Sequence, residues 1–117
     1  VPHKEAVMPF LDTLDDRAKT IGAVNTIIAR EDGTLHGTNT DAYGFLAHLK
    51  ASLTGWQEAI RRPLVLGAGG AARGVVYALL EAGAGQVMLT NRTQETAEVL
   101  AQAFGPRVAT LAWEKKE

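Results

Sequence analysis

The stretch that most restricts the fold is PLVLGAGGAA, residues 63–72, a short unbroken apolar run that ends in glycines. Such a run predicts a β-strand buried on both faces, and the spacing after it predicts a helix from about Ala71 to Ala82. Ala72, Val75, Val76, Leu79 and Leu80 form the apolar stripe of that helix, and AGAG at 82–85 stops it. QVMLT is the next strand. NRTQETAEVLAQAFG then predicts a second helix, with Thr93 at its N-cap, Ala97, Leu100, Ala101 and Phe104 inward, and Gly105-Pro106 as the stop. RVATL opens a third strand. The result is an α/β chain ending in a βαβαβ unit, half of a doubly wound fold.

Gly67, Ala68, Gly69, Gly70, Ala71 and Ala72 match G-x-G-x-x-[G/A] between strand and helix, the context in which that pattern binds a dinucleotide. Gly67 permits the tight turn, Gly69 lets a pyrophosphate approach the backbone, and Ala72 keeps helix and strand close. The helix N-terminus supplies N–H groups and the positive end of a dipole. An NAD site places Asp or Glu about twenty residues on, against the ribose 2′-hydroxyl. Here the second strand ends in Asn91-Arg92-Thr93, with no carboxylate. A guanidinium pairs with a 2′-phosphate, so the expected cofactor is NADP.

The first half has another rhythm. Lys4 to Leu14 carries helical apolar spacing at Val7, Phe10, Leu11 and Leu14, with Pro9 as a kink or a first-turn residue. AVNTIIAR and TLHG predict strands around the turn EDG. NTDAYGFLAHLK then opens a helix, with Thr40 or Asp41 as cap and Phe45, Leu46 and Leu49 on its apolar face. Two Asn-Thr pairs, 25–26 and 39–40, stand beside strand ends, where small polar side chains either cap helices or face a ligand. Periodicity lapses in SLTGWQEAIRRP. The expected division is residues 1–52 as one unit, 53–62 as linker and 63–117 as the dinucleotide-binding unit.

Composition narrows the function. With 117 residues, 46% of them hydrophobic, the chain is expected to be globular. A net charge of −1 with interspersed signs gives no footprint for nucleic acid, and no apolar stretch reaches membrane-spanning length. Zero Cys fits a cytoplasmic protein without a thiolate metal site, and His3, His36 and His48 lack metal-ligand spacing. Tyr43 and Trp56 are expected to be packing residues. Val1 begins the chain as though partway through a structural unit, so a fragment is expected.

VPHK, GAVNT, NTDAYGF, GAGGAARG and NRT, in this order and at these separations, resemble shikimate dehydrogenase and its quinate-using relatives. The resemblance implies NADP-dependent interconversion of 3-dehydroshikimate and shikimate in aromatic amino-acid biosynthesis, with an active site between two domains. It also implies that Lys4, Asn25 and Asp41 converge on the substrate. The chemistry agrees, because oxidising a secondary alcohol needs an acid/base group for the hydroxyl proton. Lys4 can supply it, Asp41 can orient it, and Asn25 offers a donor and an acceptor to hydroxyls. Asp16 stands where the family often has an acidic residue near the cofactor. The family runs to more than twice this length, so much of the substrate cleft would lie outside these residues. An uncovered edge of the parallel sheet favours association, and a homodimer is allowed. The alternatives are a quinate dehydrogenase, an NADP reductase of another substrate, or a silent dinucleotide-binding module; Lys4 and Asp41 together favour an enzyme.

Overall fold

The computed structural model describes residues 3–113 and contains two three-stranded sheets joined through helices. In the first sheet β1 (Thr13–Leu14) runs parallel to β3 (Leu35–Thr38), and β2 (Thr26–Ala29) pairs with β3 antiparallel, Ile28 opposite His36. In the second, β4 (Leu64–Leu66), β5 (Val87–Thr90) and β6 (Val108–Thr110) are all parallel and lie in sequence order, Val65 opposite Leu89. The connections in this second sheet are α4 (Gly70–Glu81) and α5 (Gln94–Phe104), the βαβαβ unit expected from the sequence.

Short-range chemistry explains most elements of the first half. Asp15 caps α1 (Asp16–Ile21) by accepting from the Ala18 N–H at 2.7 Å. Gly22 ends that helix in the left-handed region at φ 78°, where a Cβ would be strained. Between β2 and β3, Gly33 turns the chain at φ 88° while Asp32 accepts from the N–H and hydroxyl of Thr34.

Helix α4 joins the two halves. Val76 and Leu79 enter the core of the second sheet with Val65, Val87, Leu89, Ala97, Leu100 and Val108, while Ala78 packs with Ile21, Ala23 and Ala42. Phe45 of α2 (Asp41–Ser52) touches both clusters. Residues 53–62 include a short helix, α3 (Trp56–Ala59), and Ile60 from this stretch is buried in the second core.

Several local expectations are corrected. Lys4 to Leu14 is not one helix: residues 3–7 are turns, Met8–Phe10 is a single 3₁₀ turn, and Thr13 and Leu14 pair with β3. Proline at the start of so short a turn, and the pull of a strand partner, override the apolar spacing. Strand β4 is buried on one face only. Val65 faces the core formed with α4 and α5 and is buried, but Leu64 and Leu66, on the opposite face, are 48% and 64% exposed. Tyr43 is 72% exposed and is no packing residue, whereas Trp56 packs on the second core with Lys50 Nζ 5.2 Å from its ring centroid.

Candidate active site

The Lys4 segment, the end of α1, the β3–α2 junction and the start of α4 meet at one place. Lys4 Nζ donates to Asp41 Oδ2 at 2.6 Å, with the two side chains 19% and 30% exposed. The other carboxylate oxygen, Asp41 Oδ1, accepts from Asn25 Nδ2 at 2.9 Å. Asn25 also donates to Thr40 Oγ1 and accepts from the Thr40 N–H and the Thr26 hydroxyl. Its amide is thereby committed to holding the start of α2.

The other Asn-Thr pair supplies the frame. Asn39 is fully buried; its Nδ2 donates to the Ala23 carbonyl and its Oδ1 accepts from the Asp41 N–H at 2.8 Å. It therefore fastens the first turn of α2 to the strand-entry loop. Thr40 occupies the N-cap position without making a side-chain cap bond, and Asp41 uses both carboxylate oxygens on Lys4 and Asn25. The helix cap expected from Thr40 or Asp41 is thus replaced by Asn39, because the other two side chains are drawn across the site. The Lys4 carbonyl accepts from the Val24 N–H at 2.8 Å, fixing the lysine backbone to the same loop.

The glycine turn adjoins this cluster. Gly67 adopts φ 114°, a conformation open to glycine, and its N–H donates to the Thr90 carbonyl at 2.8 Å. A Cβ built on Gly67 or Gly69 would meet nothing within 4 Å, and no side chain caps the helix at Gly69. The backbone is therefore open to a ligand there, as a pyrophosphate requires. Ala68 is buried and Ala71 exposed. Gly70 and Gly74 face the first half: a Cβ on Gly70 would lie 2.9 Å from the Lys4 Cβ, and one on Gly74 would lie 3.1 Å from the Asp41 Cβ. These two glycines set the close approach of α4 to the first half, while Ala72 packs on the core of the second sheet.

At the end of β5, Asn91 Nδ2 donates to the Thr93 carbonyl and Arg92 is exposed. Thr93 is the N-cap residue of α5 but makes no side-chain cap bond. Asp16 lies exposed in the first turn of α1, and no hydrogen bond or ion pair joins its carboxylate to the glycine turn or to the Lys4 cluster. Its neighbour Asp15 is the structural residue: partial burial pushes its carboxyl up, but bonds from the Thr38 hydroxyl and the Ala18 N–H hold it below the usual range. Among the described residues no group of three or more His, Asp or Glu could hold a metal, and no helix is long and apolar enough to cross a membrane.

Two features escaped the sequence reading. Asn39 stood in a noticed pair, but burial was not readable from its position. Arg73 gave no signal beyond following the glycine pattern, yet its guanidinium reaches the Ile21 carbonyl at 3.2 Å.

A dinucleotide-type glycine turn touching a Lys–Asp–Asn cluster places the chain among α/β proteins with a Rossmann-like βαβαβ unit. Residues 49–115 match the family model of shikimate / quinate 5-dehydrogenase, and residues 1–27 match that of the shikimate dehydrogenase substrate binding domain. The chain belongs to the shikimate/quinate dehydrogenase family. It is 51% identical over 113 residues to shikimate dehydrogenase (NADP(+)) of Dinoroseobacter shibae, covering 97% of this chain and 41% of that protein. The crystal structure of shikimate dehydrogenase from Aquifex aeolicus superposes with a TM-score of 0.84 at 44% identity, over 99% of this chain and 41% of that one. The Thermus thermophilus enzyme in complex with NADP(H) and shikimate gives 0.79 at 42% identity, over 98% and 41%. The chain thus spans about two-fifths of the length of the relatives it matches.

Proposed function

We propose that this chain forms part of an NADP-dependent shikimate dehydrogenase that interconverts 3-dehydroshikimate and shikimate, within the cytoplasmic route to aromatic amino acids. The carrying observation is the Lys4–Asp41 pair at 2.6 Å, held by Asn25 and in contact with the glycine turn through Gly70.

Lys4 is the proton donor when the ketone is reduced and the acceptor when the alcohol is oxidised. Asp41 holds the lysine nitrogen in place and presents a carboxylate oxygen to a ring hydroxyl. Asn25 keeps that carboxylate aligned, and it reaches a substrate hydroxyl only by exchanging one of its present bonds. The backbone of residues 67–71 would hold the pyrophosphate, and Arg92 with Asn91 and Thr93 would receive the ribose 2′-phosphate. When bound, NADP supplies or accepts the hydride. Asp16 keeps only its sequence-level place as a cofactor contact. Division into a substrate unit at 1–52, a linker at 53–62 and a nucleotide unit at 63–117 is part of this reading.

The test uses the full-length enzyme with shikimate and NADP, followed by absorbance of the reduced nicotinamide. Turnover with shikimate that vanishes in Lys4→Ala supports the proposal; absence of turnover in the wild type overturns it.

A further inference from the structure

Arg73 is charged, 14% exposed and outside the residues assigned to cofactor or substrate. It lies on α4 between Gly70, which packs on Lys4, and Gly74, which packs on Asp41. Its Nη1 donates to the Ile21 carbonyl at 3.2 Å, at the end of α1. A Cβ on Gly22 would sit 2.7 Å from that same nitrogen, so the guanidinium lies directly over the glycine that ends the helix. Arg73 Nε is buried without a hydrogen bond, and the nearest opposite charge is Glu5 Oε1 at 3.4 Å. Glu5 is the residue next to Lys4.

A buried guanidinium nitrogen without a hydrogen bond is costly and persists where its position serves another purpose. Arg73 begins one turn beyond the glycine backbone that faces the cofactor, its own N–H bonding the Gly69 carbonyl at 3.0 Å. Its side chain ends on both supports of Lys4: the neighbouring Glu5 and the α1–loop junction leading to Val24, whose N–H binds the Lys4 carbonyl. We infer that Arg73 is a positioning residue that couples the glycine turn to the placement of Lys4, acting through Glu5 and the α1 C-terminus. A shift of the α4 N-terminus when the dinucleotide seats would be transmitted along this arginine to the acid/base nitrogen. The inference rests on the catalytic reading of Lys4 given above.

The experiment measures kcat, KM for NADP and the pH profile of kcat in the full-length enzyme for Arg73→Met, Arg73→Lys, Glu5→Gln, the Arg73→Met/Glu5→Gln pair and Lys4→Ala. Arg73→Met is expected to lower kcat about tenfold with KM for NADP changed less than about twofold, and to displace the pH profile. Arg73→Lys restores part of the loss. Glu5→Gln lowers kcat about threefold alone and adds almost nothing to Arg73→Met, since the two act through one contact. Wild-type kcat in Arg73→Met, a rise confined to KM for NADP, or full additivity of the pair overturns the inference. If Arg73→Met does not fold, Glu5→Gln decides by itself, because its side chain is 48% exposed and its loss leaves the core intact; an unchanged kcat there overturns the coupling. An inactive Lys4→Ala beside normal Arg73 and Glu5 variants overturns this inference alone. Activity retained in Lys4→Ala overturns the catalytic reading and the inference with it.

Discussion

A Cβ on Gly70 would stand 2.9 Å from the Lys4 Cβ and 3.2 Å from its Cδ, so the helix that opens the dinucleotide turn and the lysine stem occupy adjoining space with no room for a methyl group. Gly70 has no positive φ, and alanine there restricts the unfolded chain, a gain of roughly 0.4–1 kcal/mol that offsets part of the strain. Gly70→Ala should therefore leave the melting temperature within a few degrees while lowering kcat about tenfold, through displacement of Lys4. Thermal unfolding beside steady-state kinetics separates the two effects. Wild-type turnover would mean that the lysine stem moves aside freely.

Lys4 and Asp41 should fail differently. If Lys4 is the acid/base group proposed above, Lys4→Ala in the full-length enzyme should lower turnover by about two to four orders of magnitude with little change in cofactor affinity. Asp41→Asn keeps the shape of the side chain but loses the ion pair to Lys4 at 2.6 Å, so kcat should drop while circular dichroism is unchanged. Because Asn39, not Asp41, bonds the first helical N–H, the start of α2 does not depend on the carboxylate for its cap. Full activity in Asp41→Asn would reduce that residue to a spacer.

Arg92 is exposed, beyond the end of β5, where no carboxylate competes for a 2′-phosphate. A charge-assisted bond of roughly 1.5–3 kcal/mol corresponds to about ten- to a hundredfold in affinity. Arg92→Ala should weaken NADP by that factor, leave NAD nearly unaffected, and show a smaller difference as salt rises. Calorimetric titration of both cofactors checks it; equal weakening of the two would assign Arg92 to the shared part of the ligand.

Asp15 predicts a pH dependence of stability. Its carboxyl is held below the usual carboxylate range, so its contribution is present above the unfolded-state pKa of about 4 and is lost as pH falls through the lower folded-state value. Asp15→Ala should cost about 1 kcal/mol at neutral pH, the usual worth of an N-cap, and progressively less below about pH 4. Melting temperatures of wild type and variant should converge in acid. A constant gap would mean that the cap's charge state is irrelevant.

What the sequence revealed followed from local rules. The βαβαβ alternation, the glycine turn and the Asp-Gly hairpin each depend on a few adjacent residues, and all were legible. Lys4 to Leu14 was misread because helical spacing over a dozen residues cannot register a strand partner more than twenty positions away, as Thr13 finds in His36. The exposure of Leu64 and Leu66 was hidden for a similar reason: a short apolar run has the same appearance whether one face of its sheet is covered or both. Within the candidate site, residue types could be picked out, but Asn39 and Arg73 owe their roles to burial and long reach. Neither property has a local signature.

The network around Asp41 draws together positions 4, 25, 39 and 41, and the lysine bond alone closes a loop of 37 residues. Closing such loops costs chain entropy before any contact compensates for it, and the cost falls on the same bonds that would align the reactive nitrogen. Helices α4 and α5 can form from neighbouring residues, but the Lys4–Asp41 pair requires the first sheet, α2 and α4 to be assembled together. The refolding full-length enzyme should thus regain its helical signal ahead of its turnover, and recovered turnover should report long-range closure more faithfully than any spectroscopic measure of secondary structure.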